Sequence, residues 1–392
     1  MDNEVFSKVV LASEKAVASV GPFSVKRYLF NAVDKSSDKF YRGIYGLRGV
    51  GKTIMLLQLA KNRQNALYIP ADAKYLLQDS IYDIANYAID KGYKSLFIDE
   101  IHSRTGWTYD LKTLYDEGQA KVFFTGSSSI ELRKGADLSR RVIMHELKPA
   151  SFREYLNIRY GGGISTVSLD ELYDNGRRQK LVVQHGKWNT FLEEYYKYGG
   201  VLYEDIKEEY PKSITNTLEK IINVDLTYLR ELDIKVENDV YKLLYKIVES
   251  GLYEASYSKL AGYLGISKVT TIKLVTDLEH LGLFKLIYPY GTGFRKEPKI
   301  YLSIPFRSAL AEMSSKKVDT GTLREEFFAN NVDVEGYFKT KRGEKTPDFK
   351  VKDNSIEIGG DRKRTVDADY IAVHSLNFAE NRIALFLFGF LY

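Results

Sequence analysis

Short apolar runs recur along the first 150 residues, separated by stretches in which apolar residues return every three or four positions. The runs are Phe40 to Tyr45, Ala66 to Pro70, Ser95 to Ile98, Ala120 to Thr125 and Val142 to Leu147. Between and before them, helical spacing predicts helices over Glu4 to Val20, Ser24 to Ala32, Ile54 to Ala60, Ile81 to Lys91, Tyr109 to Glu117 and Ile130 to Lys134. Strands alternating with helices of this length imply right-handed crossovers and a mostly parallel sheet, an α/β fold. Residues 151–235 read as polar and helical, broken at Gly161-Gly162-Gly163 and at Tyr198-Gly199-Gly200, as in a helical lid or spacer.

The pattern then changes. Asp239 to Glu249, Ser256 to Leu264 and Lys268 to His280 read as helices, with Ser256 and Ser267 as caps and Gly265 as a stop. On the third, Val269, Ile272, Val275, Leu278 and Leu281 have core spacing. Two strand-like runs follow, Phe284 to Tyr288 and Lys299 to Ser303. Three helices and a hairpin over 236–312 make the plan of a winged helix-turn-helix. Residues 313–392 read as α+β, with Ile383 to Tyr392 as a closing strand.

Chemistry concentrates behind the first strand. Gly46-Leu47-Arg48-Gly49-Val50-Gly51-Lys52-Thr53 satisfies G-x-x-x-x-G-K-[ST]. Glycines let amide groups close around phosphate oxygens, Lys52 is long enough to reach the β- and γ-phosphates, and the Thr53 hydroxyl is placed to ligate Mg²⁺. Ile54 begins a helix whose N-terminus faces the anion. The run Tyr93 to Ile98 ends in Asp99-Glu100, as in a buried parallel strand opening onto a site. Asp99 is the expected metal carboxylate, and Glu100 the general base that polarises water. At the end of the next strand, Ser127 can touch a γ-phosphate or cap a helix. Arg141 precedes the last strand of the sheet, either as a solvated residue or as a donor to a neighbouring subunit's phosphate.

Elsewhere the signals are thinner. Lys268, Thr270, Thr271 and Lys273 on the third helix are expected toward a DNA major groove, with Arg295 and Lys296 from the wing on the backbone, and protein docking is the alternative. Glu325, Pro347-Asp348 and Glu357-Ile358-Gly359 approach a metal-dependent nuclease constellation, with Gly359 standing where the lysine belongs.

The net charge is +5, from 57 basic and 52 acidic residues, too mild to imply nucleic acid by itself. Cysteine is absent, which excludes disulfides and thiolate metal sites. The five histidines lack metal-ligand spacing. No leader or membrane-spanning run is evident at the N-terminus or beyond, so a cytoplasmic location without membrane partners is the expectation. Tyrosine is unusually frequent at 30 residues.

Taken together, Gly46 to Thr53, Phe97-Ile98-Asp99-Glu100-Ile101-His102, Trp107, Phe124 to Ser129, Ser139-Arg140-Arg141 and Leu147 to Glu154 resemble the AAA+ ATPases of archaea and bacteria. The particular group has a winged helix and a degenerate restriction-endonuclease-like C-terminal domain. The resemblance implies a P-loop NTPase parallel sheet with helical lid, followed by a winged helix and a small α+β nuclease-like domain. The corresponding boundaries are 1–150, 151–235, 236–312 and 313–392. It further implies ATP rather than GTP, with ADP as product and Mg²⁺ as cofactor. It sets Ser127 at the sensor position and Arg141 at the arginine-finger position, acting in trans in a homo-oligomer. Double-stranded DNA is the partner expected from the winged-helix plan rather than from the resemblance. ATP hydrolysis driving movement of the winged helix is the leading expectation; an ATP-gated switch with little turnover and a nuclease with a relocated lysine are the alternatives.

Overall fold

The computed structural model describes residues 1–118, 120–126, 138–183, 187–202, 208–227, 234–250, 253–254, 256–291, 297–339, 346–360, 367–374 and 380–392. These form two compact units, Met1–Lys148 and Pro149–Tyr392.

In the first unit, five strands form one sheet in the order β2-β3-β4-β1-β5, with every neighbour parallel. They are β1 (Tyr41–Tyr45), β2 (Ala66–Pro70), β3 (Ser95–Asp99), β4 (Lys121–Gly126) and β5 (Val142–Glu146). The connections run through α3 (Lys52–Lys61), α4 (Ile81–Asp90) and α5 (Trp107–Glu117), preceded by α1 (Asn3–Ser19) and α2 (Phe30–Asp34). Strand alternation sorts the side chains. Leu67, Ile69, Leu96, Ile98, Val122 and Phe124 join Phe6, Ile84, Ala88 and Leu111 in one core. On the other face Phe97 stacks on Phe123 at 4.8 Å, and the Arg63 guanidinium, just beyond α3, lies 4.5 Å from the Phe123 ring. Asp99 and Thr125, two residues beyond these phenylalanines, therefore share the α3 face.

Among the described residues one expected helix is missing; the helix expected over Ile130 to Lys134 lies outside them. Ser24 to Leu29 is irregular, and only α2 forms nearby. The carbonyls of Phe23 and Val25 accept from Gln58 Nε2 at 2.7 and 3.2 Å, taking up groups a helix ladder would use.

The second unit opens with α6 (Phe152–Tyr160), α7 (Leu169–Tyr173), α8 (Asn175–Val183), α9 (Trp188–Tyr198) and α10 (Tyr210–Lys220). Next come α11 (Ile234–Glu249), β6 (Tyr253–Glu254), α12 (Tyr257–Leu264), α13 (Lys268–His280), β7 (Phe284–Ile287) and β8 (Lys299–Leu302), the strands pairing antiparallel as β6-β8-β7. After α14 (Phe306–Met313) and α15 (Thr320–Asn331) lies a second five-stranded sheet, β13-β12-β11-β10-β9. Its strands are β9 (Gly336–Tyr337), β10 (Phe349–Val351), β11 (Asn354–Gly359), β12 (Tyr370–Val373) and β13 (Arg382–Ala384).

Residues read as a lid, a wing and a tail share one core here. Phe152, Trp188, Tyr195, Tyr301, Phe327, Phe349, Phe386 and Phe390 all belong to it. The expected closing strand is shorter than its apolar run. Only β13 pairs; Leu385–Phe390 turns into a buried 3₁₀ helix, which aims Phe386 at Trp188 (4.8 Å) and Phe390 at Phe152 (6.0 Å). Aromatic packing overrides strand propensity there.

Candidate active site

The segment after β1 turns sharply into α3. Gly46, Gly49 and Gly51 have φ of +148°, +79° and +93°, conformations that L side chains rarely adopt. At Gly46 an added Cβ would also run into the Leu147 carbonyl oxygen. Gly51 is the N-cap of α3 and supplies no side-chain acceptor, whereas Ser80 and Ser151 cap their helices with hydroxyls. The first-turn amides of α3, which have no acceptor within the helix ladder, are thus left for an external anion. Leu47 and Val50 are buried and anchor the loop, Arg48 and Ile54 are half-buried, and Thr53 is the second residue of α3. Lys52 is only 5% exposed and folds back over the loop, its ammonium donating to the Gly46 and Leu47 carbonyls at 2.8 and 3.0 Å. A cradle a Cβ would fill, an uncapped helix start and a buried ammonium together fit a polyphosphate.

The acidic pair ends the strand two places away in the sheet, β4 lying between. Asp99 is buried, and both its oxygens accept hydroxyls: Oδ2 from Tyr68 at 2.8 Å, Oδ1 from Thr125. Thr125 also accepts the Glu100 amide at 3.0 Å. Burial and then the Asp99 charge push the Tyr68 hydroxyl far above the usual phenol range, so it remains a donor. Glu100 has a left-handed backbone (φ +50°, ψ +44°), and its Oε2 lies 3.4 Å from His102 Nε2. A buried carboxylate at the end of β3, on the α3 face of the sheet, suits a hydrated divalent cation.

Sequence reasoning missed Tyr68, Thr125 and Arg27. The Arg27 guanidinium is buried; it donates to the Val50 carbonyl within the loop and to the Lys148 carbonyl at 2.7 Å. Only Thr125 had a signal, as the last hydroxyl before Gly126 on an apolar strand. Ser127, the expected sensor, lies outside the described residues.

Arg141 is held elsewhere. It binds Asp116 through Nε (2.8 Å) and Nη2 (3.0 Å), and this hydrogen bonding, then its charge, lowers the Asp116 carboxyl below the usual range. Its carbonyl accepts from Tyr41, at the opposite end of β1 from the glycine loop, roughly 13 Å away along the strand.

On α13, Lys268, Thr270 and Lys273 are exposed, but Thr271 is fully buried, its hydroxyl donating to the Ser267 carbonyl at 3.0 Å. Thr271 is therefore removed from the groove-facing set. Val269 (75% exposed) and Ile272 (37%) leave the expected core face, because the helix turns Thr271, Leu274, Val275 and Leu278 inward. Arg295 and Lys296 lie outside the described residues. In the C-terminal sheet, Asp348 Oδ2 accepts the Ile358 amide at 2.7 Å and Glu325 pairs with Lys299 at 3.7 Å. Among the described residues no group of three or more His, Asp or Glu is arranged to hold a metal, and no helix is long and apolar enough to cross a membrane.

Residues 40–156 match the family model described as AAA domain, the interval holding the loop, Asp99, Thr125 and Arg141. The uncharacterized protein MJ1637 of Methanocaldococcus jannaschii is 30% identical over 344 residues, covering 78% of this chain and 71% of that protein. Among solved structures, the Aeropyrum pernix ORC1 protein in complex with DNA is 13% identical with a TM-score of 0.30, over 76% of this chain and 92% of that one. AMPPCP-bound DnaA from Aquifex aeolicus is 16% identical with a TM-score of 0.26, over 64% of this chain and 86% of that one. The chain belongs to the family of the M. jannaschii protein MJ1637, and within it carries an AAA domain of the P-loop type.

Proposed function

We propose that this chain is a Mg²⁺-dependent ATPase whose AAA domain works a winged-helix module on double-stranded DNA. The observation that carries the reading is the placement of buried Lys52 and buried Asp99 at the same end and on the same face of one parallel sheet, flanking the glycine loop. The loop amides and Lys52 bind the phosphates, while Thr53 and Asp99 hold the cation, directly or through water. Bound Mg²⁺ neutralises phosphate charge and orients the terminal phosphoryl group. Glu100 takes the proton of the attacking water at its carboxylate, with its amide fixed by Thr125. Arg141 serves a neighbouring subunit of a homo-oligomer, since its own loop lies at the far end of β1. Ser127 reads the γ-phosphate. The helix–strand–helix–helix–strand–strand order of α11 to β8 supports a winged helix, with Lys268, Thr270 and Lys273 toward DNA, and Arg295 and Lys296 from the wing.

The test is two variants. Lys52→Ala is expected to lose nucleotide binding by calorimetry, and Glu100→Gln to bind ATP but turn over at least ~100-fold more slowly. Tight binding by the first, or undiminished turnover by the second, contradicts the assignment. The Arg141–Asp116 pair favours a second reading, an ATP-gated switch that turns over little as a monomer. Phosphate release measured against protein concentration, with and without duplex DNA, separates the two.

A further inference from the structure

We propose that Tyr68 and Thr125 are positioning residues that fix the Asp99 carboxylate for the divalent ion, and that Thr125 also suspends Glu100. The inference rests on the pocket being the Mg²⁺–nucleotide site described above. An aspartate at a strand end can rotate about two bonds, and each rotamer offers a cation a different oxygen. Here the two flanking strands remove that freedom. Tyr68, on β2, donates to Oδ2 at 2.8 Å, and Thr125, on β4, donates to Oδ1. With Pro70 opposite Asp99 in the β2–β3 register, Tyr68 lies two residues back on the same face, at the distance a phenol spans.

The clamp is buried. Tyr68 is 7% exposed, Asp99 5% and Thr125 0%, so these bonds are shielded from bulk solvent. Ionised carboxylates have about four acceptor positions, and two hydroxyls leave roughly half for a metal-bound water. The donors differ in what else they hold. The Thr125 oxygen also accepts the Glu100 amide, at a residue whose left-handed backbone needs an external anchor. Removing the phenol hydroxyl thus loosens the metal carboxylate alone, whereas removing the threonine hydroxyl loosens the base as well.

The experiment measures affinity for the non-hydrolysable β,γ-imido analogue of ATP by calorimetry, in Mg²⁺ and in EDTA. Tyr68→Phe is expected to keep the EDTA affinity within about twofold and to lose about tenfold of the Mg²⁺-dependent gain, the scale of one charge-assisted hydrogen bond. Thr125→Val is expected to lose a similar gain and, in addition, to slow turnover about tenfold at saturating Mg²⁺. Thr125→Ser restores both, which a role confined to packing would not do. A Tyr68→Phe protein that folds, by its melting temperature, yet keeps the wild-type gain within twofold overturns the proposal. So does a Thr125→Val protein with that gain, should Tyr68→Phe not fold. A wild type that binds no analogue in either buffer overturns the nucleotide-site reading itself, a different result from a normal wild type with an indifferent variant.

Discussion

Gly46 has a job no other residue can do. Its φ of +148° and the Leu147 carbonyl pressed against its missing side chain exclude a Cβ, so Gly46→Ala has to shift the loop or the strand beside it. The expected outcome is a melting temperature several degrees lower together with weakened nucleotide binding, checked by calorimetry on one preparation. His145, on β5, makes a second residue-scale prediction. Burial, then the nearby Arg42 charge, lowers its pKa, so the folded protein binds this proton less readily than the unfolded chain. The contribution is complete above the unfolded histidine value near ~6.5 and is lost as pH falls below it. Urea midpoints are expected to fall between about pH 7.5 and about pH 5.5, by less in His145→Gln. Equal falls in both proteins exclude His145 as a source.

At the scale of elements, α13 shows how a helix chooses its face. The spacing read from the sequence runs through Val269 and Ile272, whereas the observed face runs through Thr271 and Leu274; both include Val275 and Leu278. The second wins because Thr271 satisfies its own hydroxyl on the Ser267 carbonyl, so burying it leaves no polar group unpaired. Val269 is left on the surface beside exposed Lys268 and Lys273. Val269→Ser is therefore expected to change unfolding free energy by less than about 0.5 kcal/mol, and Leu274→Ala to lower it by about 2–5 kcal/mol, by denaturant titration. If Val269→Ser were the costlier, this phase would be wrong.

In the whole molecule, part of the aromatic richness acquires a structural account. Tyr195 donates to the Ala150 carbonyl at 2.7 Å and Tyr210 to that of Val201 at 2.9 Å, so apolar rings fill the core while their hydroxyls satisfy buried backbone. The second unit is also tied by an ion pair, Arg307 to Glu326 at 2.8 Å, both side chains 2% exposed. Glu326 accepts the Leu302 amide and Arg307 donates to the Ile247 carbonyl, so α11, α14, α15 and β8 meet at one pair. Glu326→Ala strands a buried guanidinium and is expected to destabilise by about 3–5 kcal/mol, with Arg307→Met/Glu326→Leu recovering most of it, by thermal melts. A double variant no better than the single one refutes that origin.

The sequence determined what depends on local chemistry. Spacing alone located the glycine loop, the Asp99-Glu100 strand end, the five parallel strands, and the Ser256, Gly265 and Ser267 punctuation, because steric freedom at glycine, hydroxyl caps and the continuous apolar runs of strands buried on both faces operate over a few residues. Tertiary structure decided whatever needed a partner distant in the chain. Gln58 unwound the helix expected at Ser24 by taking the Phe23 and Val25 carbonyls. Trp188 and Phe152 curled the last apolar run into a 3₁₀ turn. Tyr68 and Thr125 reached Asp99 only because β2, β3 and β4 became neighbours. A hydroxyl 31 residues from its carboxylate leaves no periodic trace, since strand order, set by how the whole sheet packs, is what brings them together.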